Sequence, residues 1–178
     1  QETAFNFVSR LMEDEGICYF FEHTDNGHTL VLADDADAHQ PCPNLETARL
    51  RHVFQAQQTP DERINLCTFE QELIPNKYGA ADFNFETPAA DLLTTVDSNL
   101  SGNLRIYEFP GGFTETDQAE SIANLRIESL EVPQKRLKGE SFCRAFIAGY
   151  KFTLQEHERE DLNSTYVLRS VSIWANQD

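Results

Sequence analysis

Strand-like runs, each closed by a turn signal, recur along most of this 178-residue chain and point to a mainly β fold. The clearest instance is a hairpin. Ile17–His23 and His28–Ala33 are strand-like, and Thr24-Asp25-Asn26-Gly27 between them signals a reversal because Asn and Gly tolerate positive φ. Residues 34–48, with Pro41 and Pro43, read as a loop. Leu50-Arg51-His52-Val53-Phe54-Gln55-Ala56 alternates like a half-buried strand, and a longer strand is expected from Arg63 to Ile74. Pro75-Asn76-Lys77-Tyr78-Gly79 reads as a turn and Ala81–Glu86 as the next strand, while residues 87–103 fit no element clearly. Leu104–Phe109 is a strand that stops at Pro110-Gly111-Gly112. Glu140–Ile147, Tyr150–His157 and Thr165–Trp174 complete the set, with turns at Gly149 and at Asp161-Leu162-Asn163-Ser164.

Two helices interrupt this pattern. In residues 4–15, Phe5, Val8, Leu11 and Met12 share one face, Thr3 is placed to cap the start, and Gly16 to end the helix in a left-handed conformation. A second helix runs from about Glu115 to Leu130, with Thr114 and Asp117 as a capping-box-like pair. Its apolar stripe is Ala119, Ile122, Ala123, Ile127 and Leu130. Two helices among about eight to ten strands make a mainly antiparallel β architecture, whose edges need barrel closure or another chain. Thirteen Phe and five Tyr against one Trp and one Met fit strands better than a helical bundle.

The formal net charge of −16 disfavours nucleic acid and an anionic membrane surface as partners. Residues 1–48 carry ten Asp or Glu and one basic residue, Arg10, which suits a solvated face or an assembly surface for a basic partner. No apolar run reaches the length needed to span a bilayer as a helix, so stable membrane insertion is not expected. The chain opens at Gln1 and is expected to be a piece of a longer protein. Cys18, Cys42, Cys67 and Cys143 form no C-x-x-C pair, and their spacing suggests neither a zinc site nor a disulfide framework.

The candidate sites for chemistry are thin. His39 and Cys42 form H-x-x-C, with His52 ten residues on, but zinc needs three or four N/S ligands and no metal is expected. His23 and His28 flank the hairpin turn and could face each other as a pH-sensitive surface pair. There is no G-x-S-x-G elbow, and adjacent carboxylates such as Asp34/Asp35 and Glu13/Glu15 are expected by chance among 30 acids. Pro110-Gly111-Gly112 lies between a strand and a helix but lacks the nucleotide-loop pattern, and Glu115 and Asp117 would repel phosphate. It reads as a structural turn. No catalytic constellation and no cofactor site emerge, so the expectation is a protein that is not an enzyme.

Several segments, in order along the chain, resemble those of the VgrG family. Glu2-Thr3-Ala4-Phe5-Asn6-Phe7 opens it and leads through Leu11-Met12-Glu13-Asp14-Glu15-Gly16-Ile17 into Tyr19-Phe20-Phe21. His28–Asp35, Tyr107-Glu108-Phe109-Pro110-Gly111-Gly112-Phe113 and Gly139–Arg144 follow, then Ala148-Gly149-Tyr150-Lys151-Phe152. The resemblance closes with His157-Glu158-Arg159, Asp161-Leu162-Asn163 and Tyr166-Val167-Leu168. Ala148 stands where the family usually has Pro.

The resemblance implies that residues 1–178 form part of the hub-like region of a type VI secretion spike, without the earlier strands, the OB-fold or the β-helical needle. It implies antiparallel β-barrel domains of the phage tail-hub type in a homotrimer. That homotrimer would join an Hcp-like hexameric tube to a membrane-puncturing needle. A PAAR tip protein and effector proteins are the further partners implied. Assembly in the bacterial cytoplasm and export through the type VI machine without a signal peptide are implied as well. A bacteriophage or prophage tail baseplate hub protein is the alternative within the same fold.

Overall fold

The computed structural model describes residues 2–50 and 63–175, with the side chain of Leu50 excepted. The expected strand at 50–56 lies, beyond Leu50, outside the described residues, as does His52. The chain divides into two compact units, one of Gln1–Gly16 with Phe69–Arg136 and one of Ile17–Thr68 with Leu137–Asp178.

The first unit begins with α1 (Ala4–Asp14). Thr3 caps it, its Oγ1 accepting from the Asn6 N–H at 3.2 Å, and Gly16 follows at φ 71°. A Cβ at Gly16 would lie 2.5 Å from the Leu125 side chain, so glycine is also needed there for space. The rest of the unit is a three-stranded sheet crossed by a helix. Strands β5 (Lys77–Ala81), β6 (Leu93–Asp97) and β7 (Arg105–Glu108) lie in the order β6-β5-β7, with β6 antiparallel and β7 parallel to β5. Helix α2 (Thr116–Glu131) packs on it. Tyr78 and Ala80 from β5 meet Ala119, Ala123 and Ile127 of α2, with Leu92 and Phe113 closing the cluster. The small residues Ala80, Ala119 and Ala123 let sheet and helix approach while the Tyr78 ring, 1% exposed, fills the space beside them.

The expected turn at Pro75–Gly79 is therefore corrected: β5 begins at Lys77, about four residues before the strand read from Ala81–Glu86. The reason is burial. Tyr78, Gly79 and Ala80 are all inside, a run that lacks the polar alternation of a half-buried strand. Asn76 is buried too, and acts as a clamp rather than a turn residue. Its Nδ2 donates to the Leu100 and Gly102 carbonyls and its Oδ1 accepts from the Leu104 N–H at 3.0 Å. A second correction concerns α2, whose N-cap is Glu115 with no side-chain cap bond, so Thr114 and Asp117 do not form a capping box.

The second unit holds a hairpin and a five-stranded sheet. Strands β1 (Cys18–Thr24) and β2 (Gly27–Ala33) pair antiparallel around Asp25-Asn26, as expected, although both loop residues keep negative φ. The sheet runs β10-β9-β3-β4-β8, built from β3 (Thr47–Leu50), β4 (Arg63–Gln71), β8 (Lys135–Ser141), β9 (Lys151–Gln155) and β10 (Thr165–Val167). β9 and β10 are antiparallel, whereas β3 runs parallel to both β4 and β9. Cys42, Leu45, Ala48, Ile64, Cys143, Phe152 and Leu154 form its core.

The chain is thus mainly β with two helices, in antiparallel and mixed sheets, and no closed barrel forms among the described residues. β8 starts five residues before the expected Glu140, and β10 ends at Val167 instead of continuing to Trp174. Ile173 and Trp174 are 78% and 88% exposed, so the apolar residues that suggested a strand there are not covered by the described residues.

Candidate assembly site

The Pro110-Gly111-Gly112 turn redirects β7 into α2. The Phe109–Pro110 peptide is cis, and Gly112 takes φ 79°, a left-handed value that glycine adopts without a Cβ penalty. The Gly111 N–H donates to the Ala81 carbonyl at 2.9 Å. The Asp82 carboxylate accepts from Gly112 at 2.7 Å and from Phe113 at 3.3 Å, and its other oxygen from Phe83 at 2.7 Å. These N–H bonds hold the Asp82 carboxyl below its ordinary range. A Cβ on Gly111 would sit 2.2 Å from the Phe113 ring, which is buried in the core under α2. The turn therefore seats Phe113, and Asp82, which was not singled out in the sequence, is its anchor. The signal for it was an acid directly after a buried strand.

Other motif residues also bond to one another. Asn163 accepts from the His157 N–H at 2.9 Å and donates to the His157 carbonyl at 3.1 Å. Arg159 pairs with Asp161, and the Tyr166 hydroxyl donates to the Leu162 carbonyl at 2.8 Å. Gly149 is buried at φ 88°, with its Cβ position 2.3 Å from the Phe20 ring. The residues that carry the VgrG resemblance at 149 and 157–166 lock the backbone of the second unit.

The groups considered for chemistry are separated or occupied. His39 Nδ1 is 2.7 Å from the Gly149 carbonyl and its ring lies against Phe20, while Cys42 is 1% exposed with its thiol pushed up by burial. Among the described residues, no group of three or more His, Cys, Asp or Glu side chains is placed to hold a metal. Glu13, Glu15, Asp34 and Asp35 are exposed, and Asp35 caps a short 3-10 turn through the Asp37 N–H. A shallow cleft lined by Glu70, Gln71, Glu72, Pro133 and Arg136 contains an ion pair of Arg136 with Glu72 at 2.7 Å and no Ser, Cys or His. His23 and His28 do come together, as register partners across the hairpin.

What remains, among the described residues, is exposed apolar surface. No residue of α1 is buried: Phe5, Val8 and Leu11, expected on one face, are 63%, 49% and 44% exposed. The outer face of the hairpin carries Tyr19, Phe21, Leu30 and Leu32, of which Leu32 is 56% exposed. Beside the glycine turn, Tyr107 and Phe109 are exposed as well. Where exposed apolar residues gather into a patch, the patch commonly marks a protein contact. No described helix is long and apolar enough to cross a membrane.

The sequence profile of the phage tail baseplate hub (GPD) family matches residues 1–178. Among curated proteins, the chain is 32% identical over 171 residues to the type VI secretion system spike protein VgrG1b of Pseudomonas aeruginosa, covering 94% of this chain and 23% of that protein. It is 30% identical to VgrG1a of the same organism, covering 94% of this chain and 26% of the relative. It is also 26% identical over 176 residues to the actin cross-linking toxin VgrG1 of Vibrio cholerae, covering 97% of this chain and 16% of the relative. The chain thus spans about a quarter of the length of the first two relatives. With the family's profile matched from end to end, a mainly β fold with two helices, and motif residues that lock the backbone, the chain belongs to the phage tail baseplate hub family, alongside the VgrG spike proteins of type VI secretion.

Proposed function

We propose that this chain is the hub part of a type VI secretion spike and that its role is structural, not enzymatic. The observation that carries the reading is the hub-family match over residues 1–178, with spike proteins as relatives. The exposed apolar faces of α1 and of the β1–β2 hairpin support it, since these surfaces need a cover that the described chain does not supply. In the assembled protein three copies form a ring that receives a hexameric Hcp-like tube on one side and carries the needle on the other. A PAAR protein tips that needle, and effectors travel as cargo. The work is mechanical, so function resides in the subunit contacts. The protein assembles in the bacterial cytoplasm and leaves through the type VI machine.

A bacteriophage or prophage tail hub is the second reading, favoured by the family's own description. Secretion separates the two. In a strain with an active type VI machine, the full-length protein is expected in the culture supernatant. Loss of the machine's sheath should abolish its export, and export that persists without the sheath would contradict the spike reading.

A further inference from the structure

The outer face of the β1–β2 hairpin ends in two imidazoles that no role described above uses. His23 and His28 are register partners, one pair in from the closing pair Thr24 and Gly27, and cross-strand partners project from the same face. Both side chains are exposed, and their ring centroids are 6.1 Å apart. Phe21, on the same face, meets both rings, at 6.4 Å for His23 and 5.9 Å for His28. Two imidazoles that share one ion through metal–nitrogen bonds of about 2.0–2.1 Å have centroids roughly 4.5–6.4 Å apart, depending on the angle at the metal. The observed spacing lies at the wide end of that span, so the exposed rings must close by roughly 1 Å through side-chain rotation to reach the angle of about 90–110° at the metal that an ordinary chelate has. Two solvated rings resting on Phe21 are the plainer alternative.

The geometry points to His23 and His28 as a two-imidazole site for an exchangeable divalent ion of the copper, nickel or zinc class. Imidazole nitrogen suits these borderline metals, whereas magnesium and calcium want oxygen. No third His, Cys, Asp or Glu joins the pair among the described residues, so water completes the coordination and the ion stays exchangeable. Glu22 projects from the opposite face of β1 and Asp25 lies in the loop, so these carboxylates and the chain's net charge of −16 attract the cation without ligating it. Such an ion decorates the tip of the hairpin and does not hold the fold together.

Isothermal titration of the full-length protein with the chlorides of copper(II), nickel(II), zinc and magnesium tests the site. The expected result is one ion per chain, copper bound more tightly than nickel or zinc, and no saturable binding of magnesium. His23→Ala and His28→Ala should each weaken copper binding by about tenfold or more, while Glu22→Gln, which removes a nearby charge from the other face, changes it little. Far-ultraviolet circular dichroism of each variant checks that the hairpin still folds. Absence of saturable copper binding, or binding of unchanged strength in both histidine variants, overturns the site.

Discussion

Asp82 shows how one side chain can fix a turn. Its carboxylate accepts N–H groups from Phe83, Gly112 and Phe113, and these bonds hold its pKa below the ordinary 3.8. A carboxyl with a depressed folded pKa adds stability that is complete above its unfolded pKa and is lost as pH falls through the folded value. Stability should therefore fall on acidification below about pH 4, and Asp82→Ala should flatten that part of the pH profile of urea unfolding. An unchanged acid limb would remove Asp82 from the account. Gly111 and Gly112 fail differently. Gly112→Val places a β-branched residue at φ 79° and should cost about 1–3 kcal/mol in backbone strain. Gly111→Val drives a methyl group into the Phe113 ring and should cost about 1–3 kcal/mol by overpacking. Thermal unfolding of both variants checks this, and wild-type melting of both would refute an architectural turn. At this scale the sequence was legible where one local rule acts alone, as at Thr3 and Gly16. Asp82 and Asn76 were not legible, because their partners lie some 25 to 30 residues away in sequence, as with Leu100, Gly102, Leu104 and Gly112.

Elements were read well where periodicity is strong. The apolar stripe of α2 is the stripe that packs, with Ala119, Ala123 and Ile127 buried and Ile122 and Leu130 beside them. Ala123 is fully buried, so Ala123→Leu should overpack the unit built on β5 and α2 by about 1–3 kcal/mol, which denaturant unfolding would detect. β5 was displaced in the sequence reading because a strand buried on both faces shows no alternation, and its Gly79 and neighbouring Asn76 mimic turn chemistry. The parallel pairings of β3 with β9 and of β5 with β7 are long-range, and no local pattern announces them. Helix α1 teaches a different lesson. Its amphipathic pattern was visible, but a pattern does not say whether the partner face belongs to the same chain. Among the described residues that face stays largely exposed. A Val8→Asp, Leu11→Asp double variant should therefore leave the chain's own unfolding nearly unchanged while weakening assembly of the full-length protein in sedimentation experiments. Global unfolding of the variant would show instead that the face is part of this chain's core.

For the whole molecule, the charge and the cysteine spacing narrowed the field, and the ordered motifs carried the family. The two-unit division and the mixed sheets were out of reach, because they depend on which strands meet across as many as a hundred intervening residues. Several motif residues behind the resemblance prove to be backbone locks, which is why they identify a fold and name no site for chemistry. The apolar residues exposed on α1 and the hairpin are consistent with the assembly proposed above. Light scattering coupled to size exclusion on the full-length protein at micromolar concentration measures this directly. The mass of a trimer is expected, and a stable monomer would contradict the proposed assembly.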